Sequence, residues 1–351
     1  MTKMISKKNW EKLKTGSLDW SIFRLRAEVL HQIRSYFREE GFLEIEAPLL
    51  TPFPTLDANI LPIAVPVQDM QGRTLALFLH SSPEHAMKKL LAAGSGKIFF
   101  LGKVFRNGEL TRTHHPEFTM AEWYRPDCGY RGIQKDAEDL ICRLAGRIRG
   151  TLTFESAGKP VDLTPPWDRI SMRDLFIQQT GIDLADCRET EDFRSAARRI
   201  GVDSDPADDW ETLFFRIFLN RIEPGLGFSK PVFVTEYPAR MGLMAKKKEN
   251  DPMWVERTEL YISGLELANG YTELTDADEQ EIRFQADSKA KAAQGHSLPV
   301  DDDLIRALRS GLPSCSGISL GVDRLVMLLT GRTNIEEVLL FPLHQDAGGK
   351  T

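Results

Sequence analysis

The chain has no excess of positive charge: 45 Lys and Arg stand against 51 Asp and Glu, for a net charge of −6. Surfaces built to neutralise many phosphates carry a basic stripe, so this balance argues against a nucleic-acid-binding protein. Cysteine is scarce. Cys128, Cys142, Cys187 and Cys315 form neither a C-x-x-C pair nor a metal-ligand spacing, which argues against structural zinc and fits a reduced, cytoplasmic setting. No apolar run is long enough to cross a bilayer, and the charged start MTKMISKKNWEKLKTG has no apolar segment behind it. There is no phosphate-binding Walker loop either. GSGK at residues 94–97 would need its first glycine at Leu91 and a Ser or Thr after Lys97. No internal repeat or low-complexity tract is present.

What is present suffices for one large core, or a core with a smaller insertion, since 42% of the 351 residues are hydrophobic. Ile22, Leu25, Val29, Ile33, Tyr36 and Phe37 recur at steps of three and four, which predicts a long amphipathic helix over residues 22–40 that stops at Gly41. FLEIEAPLL reads as a strand closed by Pro48, and SPEHAMKKLLAAG as a helix with Ser82 as cap and Pro83 in its first turn. KIFFLGKVFR and PEFTMAEWYR read as two strands of a long antiparallel hairpin around the polar loop NGELTRTHH. Residues 131–222 read as a mainly helical insertion. Strand signals return in PVFVTEYP and VERTELYISGLELANGYTEL, followed by helices over 276–294 and 301–310, a strand CSGISLGV and a helix DRLVMLLTG. Strands joined in hairpins, with helices around them, predict an α+β fold with an antiparallel sheet.

Chemistry concentrates on the hairpin, where Arg106, Arg112, His114, His115 and Arg125 sit with Glu109, Glu117 and Glu122. On a strand, Phe118, Met120, Glu122 and Tyr124 share one face, which therefore offers an aromatic, a carboxylate and a phenol. From this segment by itself, a salt-bridge ladder on a solvated sheet face remains open. Glu259, Glu266 and Glu273 recur every seven residues in strand-rich text. They suit the hard oxygen coordination of magnesium, or else are ordinary surface glutamates. The run Lys246, Lys247 and Lys248 reads either as a solvated loop or as a contact for phosphates.

Taken together, these stretches resemble a known family. EIEAPLL is similar to motif 1 of the class II aminoacyl-tRNA synthetases, VFRNGELTRTHHPEFTMAEWY to motif 2 and SGISLGVDRLVML to motif 3, in that order. ELYISGLELANGYTELTDADEQ resembles the amino-acid-binding region of lysyl-tRNA synthetases, so the likeness covers most of residues 20–342. It implies a class II catalytic fold over residues 21–351 behind an extension at 1–20, with no anticodon-binding domain, and it implies a homodimer. The chain looks most like the shortened paralogues that ligate lysine, preferably (R)-β-lysine, onto a lysine of translation elongation factor P. Ser82 and Ser319 support this: synthetases usually have alanine and glycine there, while the paralogues have serine at the first and a side chain at the second.

The resemblance also implies roles. Arg106 would neutralise the α-phosphate of ATP, Phe118 and Arg324 would sandwich adenine, and His114 would touch the triphosphate. Asn107 and Glu109 would complete the ATP loop, although Gly108 stands where the family usually has glutamate. Glu259 and Glu266 would bind Mg2+, and with Arg106 and Arg324 form the catalytic set. Glu84 and Glu122 would hold the amine near the carboxyl end, and Asn269, Tyr124, Tyr271 and Glu273 the side chain with its terminal ammonium, beside Ser82 and Ser319. Two other functions stay open at this point: an adenylate-forming enzyme with another acceptor, and a non-catalytic synthetase-like regulator.

Overall fold

A computed structural model describes residues 8–55, 60–242, 244–293, 295 and 298–343. The first long helix, α2 (Trp20–Glu39), begins where Asp19 accepts a hydrogen bond from the Ser21 amide at 2.8 Å, and it buries Ile22, Phe23, Val29, Ile33, Tyr36 and Phe37 on one stripe. Ahead of it, α1 (Asn9–Thr15) is tied down by Asn9, which donates to the carbonyls of Glu336 and Leu339 at 2.6 and 2.7 Å.

The expected single strand FLEIEAPLL is instead two short ones, β1 (Leu43–Glu44) and β2 (Leu50–Thr51), because Pro48 and the residue before it cannot continue a ladder. β2 joins a hairpin that the sequence reading had not singled out, β3 (Ile63–Gln68) and β4 (Thr74–Leu79), in a small sheet of order β2-β4-β3. Next come α3 (Glu84–Ala92) and the expected long hairpin, β5 (Ile98–Phe105) with β6 (Glu117–Pro126).

The stretch 131–222 holds most of α4 (Tyr130–Arg149), then α5 (Met172–Thr180), α6 (Thr190–Arg199) and α7 (Trp210–Ile217). It also carries a small hairpin, β7 (Thr153–Ser156) with β8 (Lys159–Asp162), and the strand β9 (Asp168–Ser171). The remaining strands are β10 (Val232–Pro238), β11 (Trp254–Ile262), β12 (Leu265–Thr272) and β13 (Cys315–Gly321). Between and after them lie α8 (Ala277–Ala293), α9 (Asp302–Gly311) and α10 (Val322–Thr330).

The main sheet has eight strands in the order β1-β5-β6-β13-β12-β11-β10-β9. Its inner strands pair antiparallel, while β1 and β9 join the two edges parallel. One sheet face packs Trp123, Ile318 and Leu320 against α2, α4 and α10. The other packs Met120, Tyr124 and Tyr271 toward Met87 and Leu91 of α3. A buried latch joins the layers: Asp323, at the start of α10, accepts from the Thr119 amide at 2.7 Å and pairs with Arg26 of α2. Among the described residues no helix is long and apolar enough to span a membrane.

Phe37 anchors the first layer. It is fully buried and packs on Phe99, Phe42 and Trp123 with ring centroids 4.7, 5.1 and 5.0 Å away. Replacing it with alanine leaves a cavity that these rings cannot close, so Phe37→Ala should lower stability by about 3–5 kcal/mol, read as a shift in urea midpoint at constant slope.

Candidate active site

Sheet register does the assembling. Glu122, Ser319, Asn269 and Glu259 stand opposite one another on β6, β13, β12 and β11, and Tyr124, Gly317, Tyr271 and Arg257 form the next row. Alternation along each strand puts both rows on the face toward α3. Gly317 is required by its neighbour, because an added Cβ would lie 2.2 Å from the Tyr124 ring.

Two adjoining clefts open on these rows. One, of about 680 Å³, is lined by Arg106, Glu109, His114, Phe118, Glu266 and Arg324 among others. The other, of about 520 Å³, is lined by Ser82, Glu84, Glu122, Tyr124 and Tyr271. Arg106, Met120, Asn269 and Ser319 line both and mark the junction.

In the first cleft, Arg324 donates to the Glu266 carbonyl at 2.6 Å and to His114 Nε2 at 2.5 Å. His114 Nδ1 therefore carries the proton and donates to Thr111 Oγ1 at 2.8 Å. Burial, with Arg324 and Arg106 nearby, pushes the His114 imidazole down to about 4. The Arg106 guanidinium lies 5.2 Å from the Phe118 ring centroid and 3.7 Å from Glu109, and its buried Nε has no partner among the described residues. Gly108 turns the loop with φ +78° and brings Glu109 onto the cleft wall, while Asn107 is exposed and outside the lining.

Two carboxylates stand at this end. Glu259 is buried and accepts from Tyr237 and Tyr261 at 2.5 and 2.6 Å, with Arg257 at 2.7 Å on its other oxygen. Glu266 opens on the cleft, and desolvation together with Glu259 pushes its carboxyl up to about 7. At 35% side-chain exposure, solvent in the cleft moderates that push. Among the described residues its side chain meets no partner closer than Arg324, at 3.7 Å.

The second cleft has an acidic floor. Glu122 accepts from Ser82 Oγ at 2.9 Å and from Tyr124 OH at 2.8 Å, and Tyr271 OH donates to Glu84. Helix α3 starts at Glu84 rather than beside Ser82, whose hydroxyl accepts from the Glu84 amide at 3.0 Å while donating to Glu122. Behind Glu84, the buried Lys88 lies 2.7 Å from Glu84 Oε1 and 2.6 Å from Glu273 Oε2. Glu273 is thus held by Lys88 and lies outside the lining of the cleft. Burial would lower the Lys88 ammonium, but Glu273 and Glu84 outweigh it and hold it above the usual lysine range. Burial pushes the Glu122 carboxyl up to about 7, with Glu84 adding to it, and that of Glu273 up to about 8 despite Lys88. Three carboxylates share one lysine, and the two raised values register the missing positive charge.

Sequence reasoning passed over Lys88, Arg257, Tyr237 and Tyr261. Lys88 had a signal: it lies four residues after Glu84, on the helix stripe that also holds Leu91. The lysine run does not reach the cleft, since Lys246, Lys247 and Lys248 pair with Glu249, Glu279 and Glu236 at 2.8, 2.8 and 2.6 Å.

Lys88→Met should cost about 3–5 kcal/mol at pH 8, because it strands Glu84 and Glu273 without a counter-charge. The sign with pH is fixed. Without Lys88 the Glu273 carboxyl is raised still further above its unfolded value, so folding takes up a proton, and the deficit should shrink as pH falls from 8 to 6. Chemical denaturation of wild type and variant at the two pH values measures it.

Comparison with known proteins agrees with this geometry. Residues 3–345 match the profile of the tRNA synthetases class II (D, K and N). An elongation factor P--(R)-beta-lysine ligase of Yersinia enterocolitica is 38% identical over 322 residues, covering 91% of this chain and 94% of its own. One from Hamiltonella defensa is 36% identical over 326 residues with the same coverage, and one from Proteus mirabilis 35% identical over 324. The chain belongs to the class II (D, K and N) tRNA synthetase family, alongside the elongation factor P--(R)-beta-lysine ligases.

Proposed function

We propose that this chain uses ATP to activate lysine, with (R)-β-lysine preferred, and passes the acyl group to a lysine side chain of elongation factor P. The observation that carries the reading is the floor of Glu84, Glu122 and Glu273 around a single lysine, opening at Arg106 into a cleft walled by guanidinium groups. A diammonium acid supplies the two positive charges that this floor lacks. Its carboxylate then points toward the junction.

In the first step, a carboxylate oxygen forms a bond to the α-phosphorus of ATP while the bond to pyrophosphate breaks. Arg106 neutralises charge growing on the α-phosphate, and its unpartnered Nε is available as a donor there. Phe118 stacks on adenine opposite Arg324, while His114 and Glu109 face the phosphates. Asn107 takes part through its loop. Glu266 faces the cleft as a hard oxygen donor that would hold Mg2+, its carboxyl raised by burial and by Glu259, while Glu259, held by Arg257, Tyr237 and Tyr261, stands behind it. Bound there, the ion would offset negative charge on the phosphate oxygens. In the second step the acceptor amine forms an amide bond to the acyl carbon, AMP leaves, and a proton is lost from the amine.

Ser82 and Ser319 bear on the isomer. Their hydroxyls donate to Glu122 and to the Asn269 carbonyl, at 2.9 and 3.2 Å, beside the amine of the substrate. A β-amino acid places that amine one carbon further from the carboxylate, and added bulk here obstructs the α-isomer. We further propose that the protein works in the cytoplasm as a homodimer and does not read a tRNA anticodon.

Amino-acid-dependent ATP–pyrophosphate exchange, with (S)-α-lysine and (R)-β-lysine side by side, tests the first step. Mass spectrometry of elongation factor P incubated with the better substrate tests the second. Exchange favouring β-lysine and a mass gain on the factor are expected. Exchange without the mass gain would transfer the reaction to another acceptor, and silence with every amino acid would leave a binding protein.

The floor also sets a pH dependence. Glu122 must be ionised to hold an ammonium and gives up its proton near pH 7, so lysine binding should tighten between pH 6 and 8 and release protons. Calorimetry in buffers of different ionisation enthalpy counts them, and binding that weakens over this range would oppose the assignment.

A further inference from the structure

Strand β10 changes sides partway along. Phe233 belongs to the core under α4 and Val234 to the core on the α3 side, as alternation requires. Continued alternation would send Tyr237 to the side of Phe233, yet it packs on the α3 side with Val234 and Tyr261. The pairing with β11 slips at the same point: Thr235 stands opposite Thr258, but Tyr237 opposite Val255. Between them Glu236 has φ 61°, a left-handed conformation that residues other than glycine rarely adopt.

The irregularity decides what meets Glu259. With its ring on the α3 side, Tyr237 donates to Glu259 Oε2 at 2.5 Å. Its ring centre also lies 4.6 Å from the guanidinium of Arg257, which pairs with Glu259 Oε1 at 2.7 Å. Strict alternation would place Glu236 on that side instead, and one carboxylate cannot donate to another. Contacts on the opposite side hold the strained residue: Tyr130 OH, at the start of α4, donates to Glu236 Oε1 at 3.3 Å, and Lys248 lies 2.6 Å from Oε2. Neither Tyr130 nor Lys248 lines either cleft.

We propose that Glu236 is a positioning residue whose left-handed backbone turns Tyr237 onto Glu259 and so fixes the carboxylate that stands behind Glu266 at the nucleotide end. The inference rests on the proposed function, since it takes Mg2+ and ATP as the ligands. Glu236 itself lies outside both cleft linings and acts through Tyr237.

The test measures equilibrium binding of ATP by calorimetry, once with Mg2+ and once in EDTA, and reads the ratio of the two affinities. The proteins compared are wild type, Glu236→Gly, Glu236→Ala, Glu236→Val and Tyr237→Phe. Glycine takes a positive φ freely and should keep the ratio although both contacts of the carboxylate are gone. Alanine and valine resist that conformation in increasing degree, so the ratio should fall in that order. Tyr237→Phe removes one hydrogen bond to a charged group and should lower the ratio by roughly tenfold, with Glu236→Val approaching the same value. The double variant Glu236→Val/Tyr237→Phe should be no worse than Tyr237→Phe alone. Should the valine protein not fold, the glycine and alanine proteins, which differ by one methyl group, carry the comparison. A ratio that falls equally in the glycine and alanine proteins would overturn the proposal, as would a urea midpoint that shifts while the ratio stays. A wild type that binds no ATP, or gains nothing from Mg2+, would overturn the functional reading and this inference with it; a gain retained by every variant would overturn only the inference.

Discussion

The structure depends on a shortage of positive charge beneath the sheet. Glu84, Glu122 and Glu273 are buried around one ammonium, that of Lys88. Burying a carboxylate is expensive unless it is paired and hydrogen-bonded, and here the available donors are shared out with little to spare. Ser82 and Tyr124 serve Glu122, Tyr271 serves Glu84, and Lys88 spans Glu84 and Glu273. The two carboxyls that remain short of charge respond by holding their protons more tightly. Lys88 also joins α3 to the chain just beyond β12, so the helix carrying Glu84 cannot shift without breaking an ion pair in a dry setting.

The sheet turns this arrangement into a site because its register is fixed. A slip of one residue would send every side chain of a strand to the opposite face, exchanging Glu122 and Tyr124 for Trp123 and Ala121. The large apolar residues on the far face prevent that: Trp123 packs against Phe37, and Ile318 and Leu320 belong to the same core. The core under α2 thereby holds the polar rows on the other side. The Asp323 latch extends the same logic to α10, since it seats the helix start on the Thr119 amide and so fixes the following residue, Arg324, over the cleft.

Strong periodic signals carried much of this in the sequence. The α2 stripe, the β5–β6 hairpin and the face shared by Phe118, Met120, Glu122 and Tyr124 are all where local pattern puts them. Weak signals failed for physical reasons. β1 and β2 are too short to show alternation, and they owe their existence to pairing with β5 and β4. β9 pairs parallel with β10 across about sixty residues of chain, a distance at which no local rule operates. Site residues divide in the same way. Most of those in the motif-bearing stretches line the two clefts, but Arg257 and Lys88 look like ordinary charges on a strand and a helix until burial is known. Tyr237 and Tyr261 read as strand aromatics, and only the packing of β10 on β11 turns both hydroxyls toward Glu259. Asn107 is the opposite case: adjacent to Arg106 in sequence, it is exposed and outside the cleft lining, with Gly108 turning the loop immediately after it.

The two clefts divide the electrostatic work unequally. Positive charge on the nucleotide side comes from the guanidinium groups of Arg106 and Arg324. His114 lies between them as a neutral ring, and that neutrality is useful: a protonated imidazole could not accept from Arg324, and the guanidinium would lose one of the contacts that orient it. The imidazole charges only near pH 4, so the cationic wall is constant across the neutral range. The floor is different, because Glu122 and Glu273 exchange protons near pH 7 and 8. In the proposed reaction, sensitivity to pH therefore belongs to the carboxyls, Glu122 and Glu273 in the floor and Glu266 at the nucleotide end, rather than to the cationic wall. Arg257 marks where the two clefts meet: it pairs with Glu259 at one end and donates to Asn269 Oδ1 at the other.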